Sequence, residues 1–212
     1  MTPASDPPTA RAIDDDLRAA VANLLGRPVQ RLRASEAPVD ADVRLHSVTG
    51  GVFRVRGTAD GEPFSLVVKS TRNGTDTDPE ALWVSGDEET HRNYWKREWL
   101  AYSTGLLGRL PGRLRAPRLL LATEPAPDQA WMYLEDVQGR PGATWQPQHY
   151  ARGAHDLGTT QGALAADPER LPTEPWLSRG WLDAWVRTTQ RWRPLVDDDA
   201  AWRDPRLAPL EP

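Results

Sequence analysis

Three features of this 212-residue chain have types and settings that could do chemistry: Lys69, Glu98 and the pair Gly50-Gly51. Lys69 ends the run Phe64-Ser65-Leu66-Val67-Val68-Lys69, in which Leu66, Val67 and Val68 leave neither strand face clearly polar. That is the pattern of a strand covered on both sides. An ammonium at the end of such a strand needs an anion, because burying an unpaired charge is strongly unfavourable. A lysine that snorkels from a strand end is the plainer alternative. Lysine is scarce here: Lys69 and Lys96 are the only two, beside 24 arginines. Where arginine is the default cation, a lysine inside an apolar strand suggests a site that wants a compact ammonium rather than a planar fork.

A partner for Lys69 is offered downstream. On a helical wheel Trp95, Trp99, Tyr102 and Leu106 form one apolar stripe, and Glu98 lies about 60° from its centre. A carboxylate on that shoulder can reach from a helix to a sheet, although a solvated flank residue has the same spacing. Gly50-Gly51, in Ser47-Val48-Thr49-Gly50-Gly51-Val52-Phe53, lets backbone N–H groups come close to a phosphate. Two glycines between strands are equally an ordinary hairpin turn.

The elements that must position these residues follow from periodicity and breakers. Residues 1–12 are Pro-rich and polar, the composition of a loose tail. Residues 13–25 place Leu17, Val21, Leu24 and Leu25 at helical spacing, with Asp14–Asp16 in the first turn and Gly26 after the end. Strands are predicted over 43–49, 51–58 and 64–70, with Ala59-Asp60-Gly61-Glu62 turning between the last two. Residues 73–91 read as a long polar loop, 92–107 as a helix broken at Pro111-Gly112, and 117–123 and 130–136 as two further strands. The sum is an α+β fold: a five-stranded, mostly antiparallel sheet with one helix inserted after the third strand. A composition break at Gln138-Gly139-Arg140-Pro141-Gly142 precedes helices over 148–166 and 176–192, the second with Trp181, Trp185 and Trp192 on one face.

The order of these pieces resembles the small lobe of the protein-kinase-like fold, and specifically the aminoglycoside phosphotransferase family. The resemblance rests on the glycine pair, Leu66-Val67-Val68-Lys69, Tyr94-Trp95-Lys96-Arg97-Glu98, and Met132-Tyr133-Leu134-Glu135-Asp136-Val137-Gln138-Gly139. His155-Asp156-Leu157-Gly158-Thr159-Thr160-Gln161-Gly162 is similar to an early large-lobe helix of that family. The likeness covers roughly residues 15 to 190. It implies a nucleotide-binding small lobe with an N-terminal helix over 1–137, then a linker and an incomplete helical large lobe over 138–212. It implies ATP and Mg²⁺ as cofactors and a small-molecule hydroxyl as phosphate acceptor. Lys69 would contact the α/β-phosphates and pair with Glu98. Gly50 and Gly51 would cover the phosphates, and the backbone of Glu135 and Val137 would hydrogen-bond adenine. Many relatives place Ser-Asn after the glycines, where this chain has Val52-Phe53.

The family takes its catalytic Asp from a His-x-Asp segment. None of His46, His91, His149 and His155 is followed two residues later by Asp, so no catalytic residue and no metal ligand is assigned. Asp183, in Leu182-Asp183-Ala184-Trp185, reads as a surface residue. The chain is therefore expected to stop before a catalytic half and to be inactive alone. An exposed apolar patch on the helical part, through which copies could associate, follows from the same reading. A non-catalytic kinase-like module that binds a nucleotide or a protein is the alternative. A third reading makes the ten tryptophans a stacking platform, but Trp95/Trp99 and Trp181/Trp185 stand at core spacing with no basic stripe between them.

Composition removes other classes. There are no cysteines, hence no disulfide, thiolate or cysteine–zinc chemistry. The histidines show no ligand spacing. A net charge of −4 gives no general pull toward nucleic acid or anionic lipid. No apolar run approaches a membrane span, and no signal-peptide pattern opens the chain, so a cytoplasmic protein is expected.

Overall fold

The computed structural model describes residues 10–39, 48–74, 85–140, 142–167, 169, 172–178, 181–190, 193–196, 198 and 200–203. Two compact units divide the chain, Met1–Leu177 and Ser178–Pro212. The first carries α1 (Ala10–Leu25), β1 (Leu32–Pro38), β2 (Thr49–Ala59), β3 (Glu62–Arg72), α2 (Arg97–Ser103), β4 (Leu119–Ala126), β5 (Gln129–Glu135) and α3 (Pro147–Ala166). The second carries α4 (Trp181–Thr189) and the short α5 (Arg193–Val196). The boundary expected at 137 marks a change of composition, not of compactness. α3 stays with the sheet unit, where the Thr160 hydroxyl donates to the Pro111 carbonyl at 3.0 Å.

The fold is α+β, with one antiparallel sheet in the order β1-β2-β3-β5-β4. Its best-signed joint is the two-residue turn from β2 to β3. Asp60 and Gly61 have φ of 53° and 92°, the left-handed pair that a tight hairpin requires. The Asp60 carboxylate accepts from the Arg31 N–H at 2.8 Å and from the Gln30 N–H, and it pairs with Arg27. Those bonds, led by the Arg31 and Gln30 amides, hold its carboxyl below the usual range.

Alternation along the strands separates two faces. Val55, Leu66, Val68 and Tyr133 point to one face, where α1 covers them with Leu17, Ala20 and Val21 in the main core. Asn23 of α1 fastens the layer by donating to the Leu120 carbonyl at 2.8 Å. The opposite face carries Val52, Arg54, Val67, Lys69, Met132 and Leu134. At one end of that face Tyr94, Trp95, Ala130 and Trp176 form a second core, joined by Trp99, Leu100 and Leu106 from around α2.

Several boundaries differ from the sequence expectation. The first strand is Leu32–Pro38; of the expected 43–49 strand, residues 43–47 lie outside the described residues and Thr49 opens β2. β1 carries little apolar alternation because it is an exposed edge, held by backbone pairing to β2 and ending in Pro38 as edges tolerate. α1 starts at Ala10, so Asp14–Asp16 fall in its second turn, not its first. The inserted helix is seven residues, not sixteen. Residues 91–96 are committed to turns and to a bridge between Gly86 and Tyr94, and Gly105 (φ 71°) ends the helical run. Trp176 does not open a helix. It sits in a turn, only 5% exposed, and its helix-forming successors begin at Trp181. Parts of the expected 73–91 loop (75–84) and of the tails (1–9, 204–212), and Trp192, lie outside the described residues.

Candidate functional site

Lys69 stands in β3 between two paired strands, opposite Val52 on β2 and Met132 on β5. Both neighbours turn apolar side chains to its face, so the ammonium leaves the sheet over a greasy floor. Its partner is Glu98: Nζ and Oε2 are 2.5 Å apart, with side chains 24% and 40% exposed. Of the two sequence alternatives for each residue, the paired one holds in the structure. A half-exposed pair contributes about 1 kcal/mol or less, so this contact orients a charge more than it stabilises the fold.

Glu98 is placed by what surrounds it on α2. Trp95 just before the helix, and Trp99 and Leu100 within it, anchor that segment in the second core. The Arg97 guanidinium donates to the carbonyls of Trp176, Arg92 and His91, each at 2.6 Å. One half-buried fork thus ties the start of α2 to two separate turns. One helical turn after Glu98 lies Tyr102, whose phenol is pushed up by burial first and by the Glu98 charge second. Lys96 points elsewhere, as its wheel position predicts. It pairs with Glu124 and lies 5.1 and 5.8 Å from the rings of Trp95 and Trp99.

The glycines are not a hairpin turn. Gly50 and Gly51 fall inside β2, at an irregularity of register between Thr49 and Gly51. A Cβ on Gly50 would come within 2.7 Å of the Ser70 hydroxyl, and one on Gly51 would overlap the Phe53 ring. The smallness of Gly50 lets β2 lie close against Ser70 of β3, and that of Gly51 leaves room for the Phe53 ring of its own strand. The register still sets Gly51 beside Val52, the residue opposite Lys69.

Glu135 ends β5 and Val137 follows, 57% exposed. The Glu135 N–H donates to the Arg118 carbonyl at 2.9 Å, and its carboxylate accepts from the Arg118 N–H. From Met132 beside Lys69 to Asp136 the strand runs about 13 Å at about 3.3 Å per residue. Val67 and Leu134 face each other along that path.

Sequence reasoning missed the group that anchors this end of the strand. Asp136 is almost wholly buried, its side chain 2% exposed, on the Lys69 face. It accepts from the Arg54 Nε–H at 3.0 Å and from the Ser65 hydroxyl at 2.5 Å. Burial alone would raise its carboxyl, but the Ser65 hydroxyl and the Arg54 guanidinium outweigh that and hold it below the usual range. The available signal was Arg54 itself, a charge amid the alternating apolar residues Phe53-Arg54-Val55, which needs an anion if its strand is inside a sheet.

Asp183 lies in the second unit, 67% exposed and paired with Arg187 one turn on. Trp95 and Trp176 are core residues, which withdraws them from any stacking platform. Among the described residues, no three His, Asp or Glu side chains converge to hold a metal ion. Leu182 and Val186 of α4 are 66% and 45% exposed, and no helix among the described residues is long and apolar enough to cross a membrane. Comparison with known proteins gave no match, neither to a family model nor to a curated protein nor to a solved structure.

Proposed function

We propose that the Lys69 face of the sheet binds the phosphates and base of ATP, and that the chain is the nucleotide-binding part of a phosphotransferase acting on a small-molecule hydroxyl. On this reading residues up to about 137 are a kinase-like small lobe and the later helices belong to a large lobe. The observation that carries the proposal is the Lys69–Glu98 pair, an oriented ammonium beside an apolar floor. Val52, Val67 and Leu134 suit the faces of a purine, and the stretch from Lys69 to Val137 suits the length of an adenosine diphosphate moiety. The Glu135 N–H is already engaged, so contact with the ring edge falls to its carbonyl and to the Val137 backbone.

Phosphoryl transfer relies on positioning and charge neutralisation rather than covalent chemistry. This chain's contribution is binding: Lys69 meets phosphate oxygens, Glu98 keeps the ammonium aimed, and the buried Asp136 cluster fixes the strand end that carries Glu135 and Val137. The reading of Gly50 and Gly51 as covering the phosphates is supported by Gly51 standing beside Val52, the residue opposite Lys69. ATP supplies the phosphoryl group when bound. The described residues offer no ligand set for Mg²⁺, and no step is assigned to it. No residue is assigned as catalytic carboxylate, since no His-x-Asp segment occurs in the sequence. The second reading is a non-catalytic module holding a nucleotide or a protein.

Titration with a fluorescent ATP analogue tests the binding claim. Lys69→Met should weaken binding at least about tenfold, as loss of a desolvated charge contact does. Binding that is indifferent to Lys69→Met would refute the site. A coupled ADP-release assay over aminoglycosides, sugars and amino alcohols separates the two readings. The chain alone is expected to release ADP at background. Acceptor-dependent release abolished by Lys69→Met would overturn the expectation of inactivity.

A further inference from the structure

Between α1 and the face of the sheet opposite Lys69 lies a cavity of about 510 Å³, within the usual size range of small-molecule sites. Its floor is apolar and aromatic, made by Leu17, Phe53, Val68, Trp131 and Tyr133. Its rim holds Asp14 and Glu36, both exposed, and no basic side chain lines it among the described residues. Tyr133 is 1% exposed, yet its hydroxyl meets no hydrogen-bond partner. That oxygen is buried behind the cavity wall rather than open to it.

We propose that this cavity binds a small organic cation: a protonated amine carried on an apolar or aromatic body. Two chemistries converge on that class. The rim carboxylates are uncompensated within the cavity and favour positive charge. The Phe53 and Trp131 rings line the cavity, and aromatic faces attract an ammonium while giving apolar surface to its body. Anions meet two carboxylates and are rejected. The site is distinct from Lys69, because Val68 and Ser70 point into it while Lys69, between them, points away; Gly50 alone is shared with the nucleotide reading.

The test uses three dansyl probes of similar body and different charge. Dansylcadaverine (cationic) should show saturable binding with blue-shifted emission. Its N-acetyl derivative (neutral) should bind about tenfold more weakly, and dansylglycine (anionic) more weakly still. Asp14→Asn combined with Glu36→Gln, both at exposed positions, should lower dansylcadaverine affinity about tenfold and erase the preference over the neutral probe. Ala34→Trp, at an exposed lining position of β1, should block the mouth and abolish binding. Should that variant not fold by circular dichroism, the Asp14/Glu36 pair decides alone. Lys69→Met should leave dansylcadaverine affinity unchanged, whatever it does to nucleotide. Equal binding of the three probes would overturn the proposal. So would no saturable binding of dansylcadaverine up to about 1 mM, affinity unmoved by the Asp14/Glu36 change, or loss of binding on Lys69→Met.

Discussion

Replacing Asp136 by Asn removes a buried charge while keeping the shape of the side chain. The wild-type carboxylate accepts one charge-assisted bond from Arg54 and one from Ser65. The amide can still accept from Ser65, so the loss is the ionic contact with Arg54 and the charge reinforcement of the Ser65 bond. A hydrogen bond to a charged group contributes about 1.5–3 kcal/mol. Removing one partner of a fully buried pair costs about 3–5 kcal/mol. Arg54 is 33% exposed and can rehydrate, which places Asp136→Asn near the lower figure, about 2 kcal/mol. For a chain of this length that is a drop in melting temperature of about 4–8 °C. The acid dependence has a definite sign. The Asp136 carboxyl titrates below its ordinary range, so its contribution is complete above the unfolded value near 3.9 and is lost as pH falls through the folded value. The gap between wild type and variant should therefore be full at pH 7 and shrink below about pH 4. Urea unfolding followed by circular dichroism at both pH values measures it. A gap under about 0.5 kcal/mol at pH 7, or one that does not shrink in acid, would refute the account of this cluster.

Glu98→Gln should cost about 1 kcal/mol or less in urea unfolding, because its side chain is 40% exposed and pairs at the edge of solvent; a larger loss would make the pair structural rather than orienting. Trp176→Ala should cost about 3–5 kcal/mol and alter the near-ultraviolet circular dichroism, since it empties a buried site in the second core. Gly61→Ala should cost about 1–2 kcal/mol through backbone strain at φ 92° rather than through contact, there being open space around it. Thermal unfolding checks the last two.

Much of the Lys69 face is legible in the sequence. Lys69 and Glu98 are single residues in conspicuous settings, a cation ending an apolar run and an anion on the shoulder of a tryptophan stripe. The structure brings them together. Asp60-Gly61 specified its own turn, because left-handed backbone at two successive positions restricts residue type so strongly. Three central strands and both long helices of the sheet unit, α1 and α3, were legible for the same reason: periodicity records which face of a local element meets a core.

What local pattern could not record was decided by partners remote in sequence. β1 has almost no apolar signature, since an edge strand is held by the backbone of its neighbour rather than by side chains. α2 is short because residues before it are claimed by a bridge to Gly86 and by the carbonyls that Arg97 binds. Trp176 reads as the start of an amphipathic helix, but a pocket formed by Tyr94, Trp95 and Ala130 holds it in a turn. The Arg54–Ser65–Asp136 cluster joins residues up to 82 positions apart, and the cavity beneath α1 draws its wall from five elements. Charge type, turn chemistry and face periodicity are properties of a few consecutive residues, and the sequence by itself determined them. Burial, pairing register and enclosure depend on which surfaces meet, and only the tertiary structure decided those.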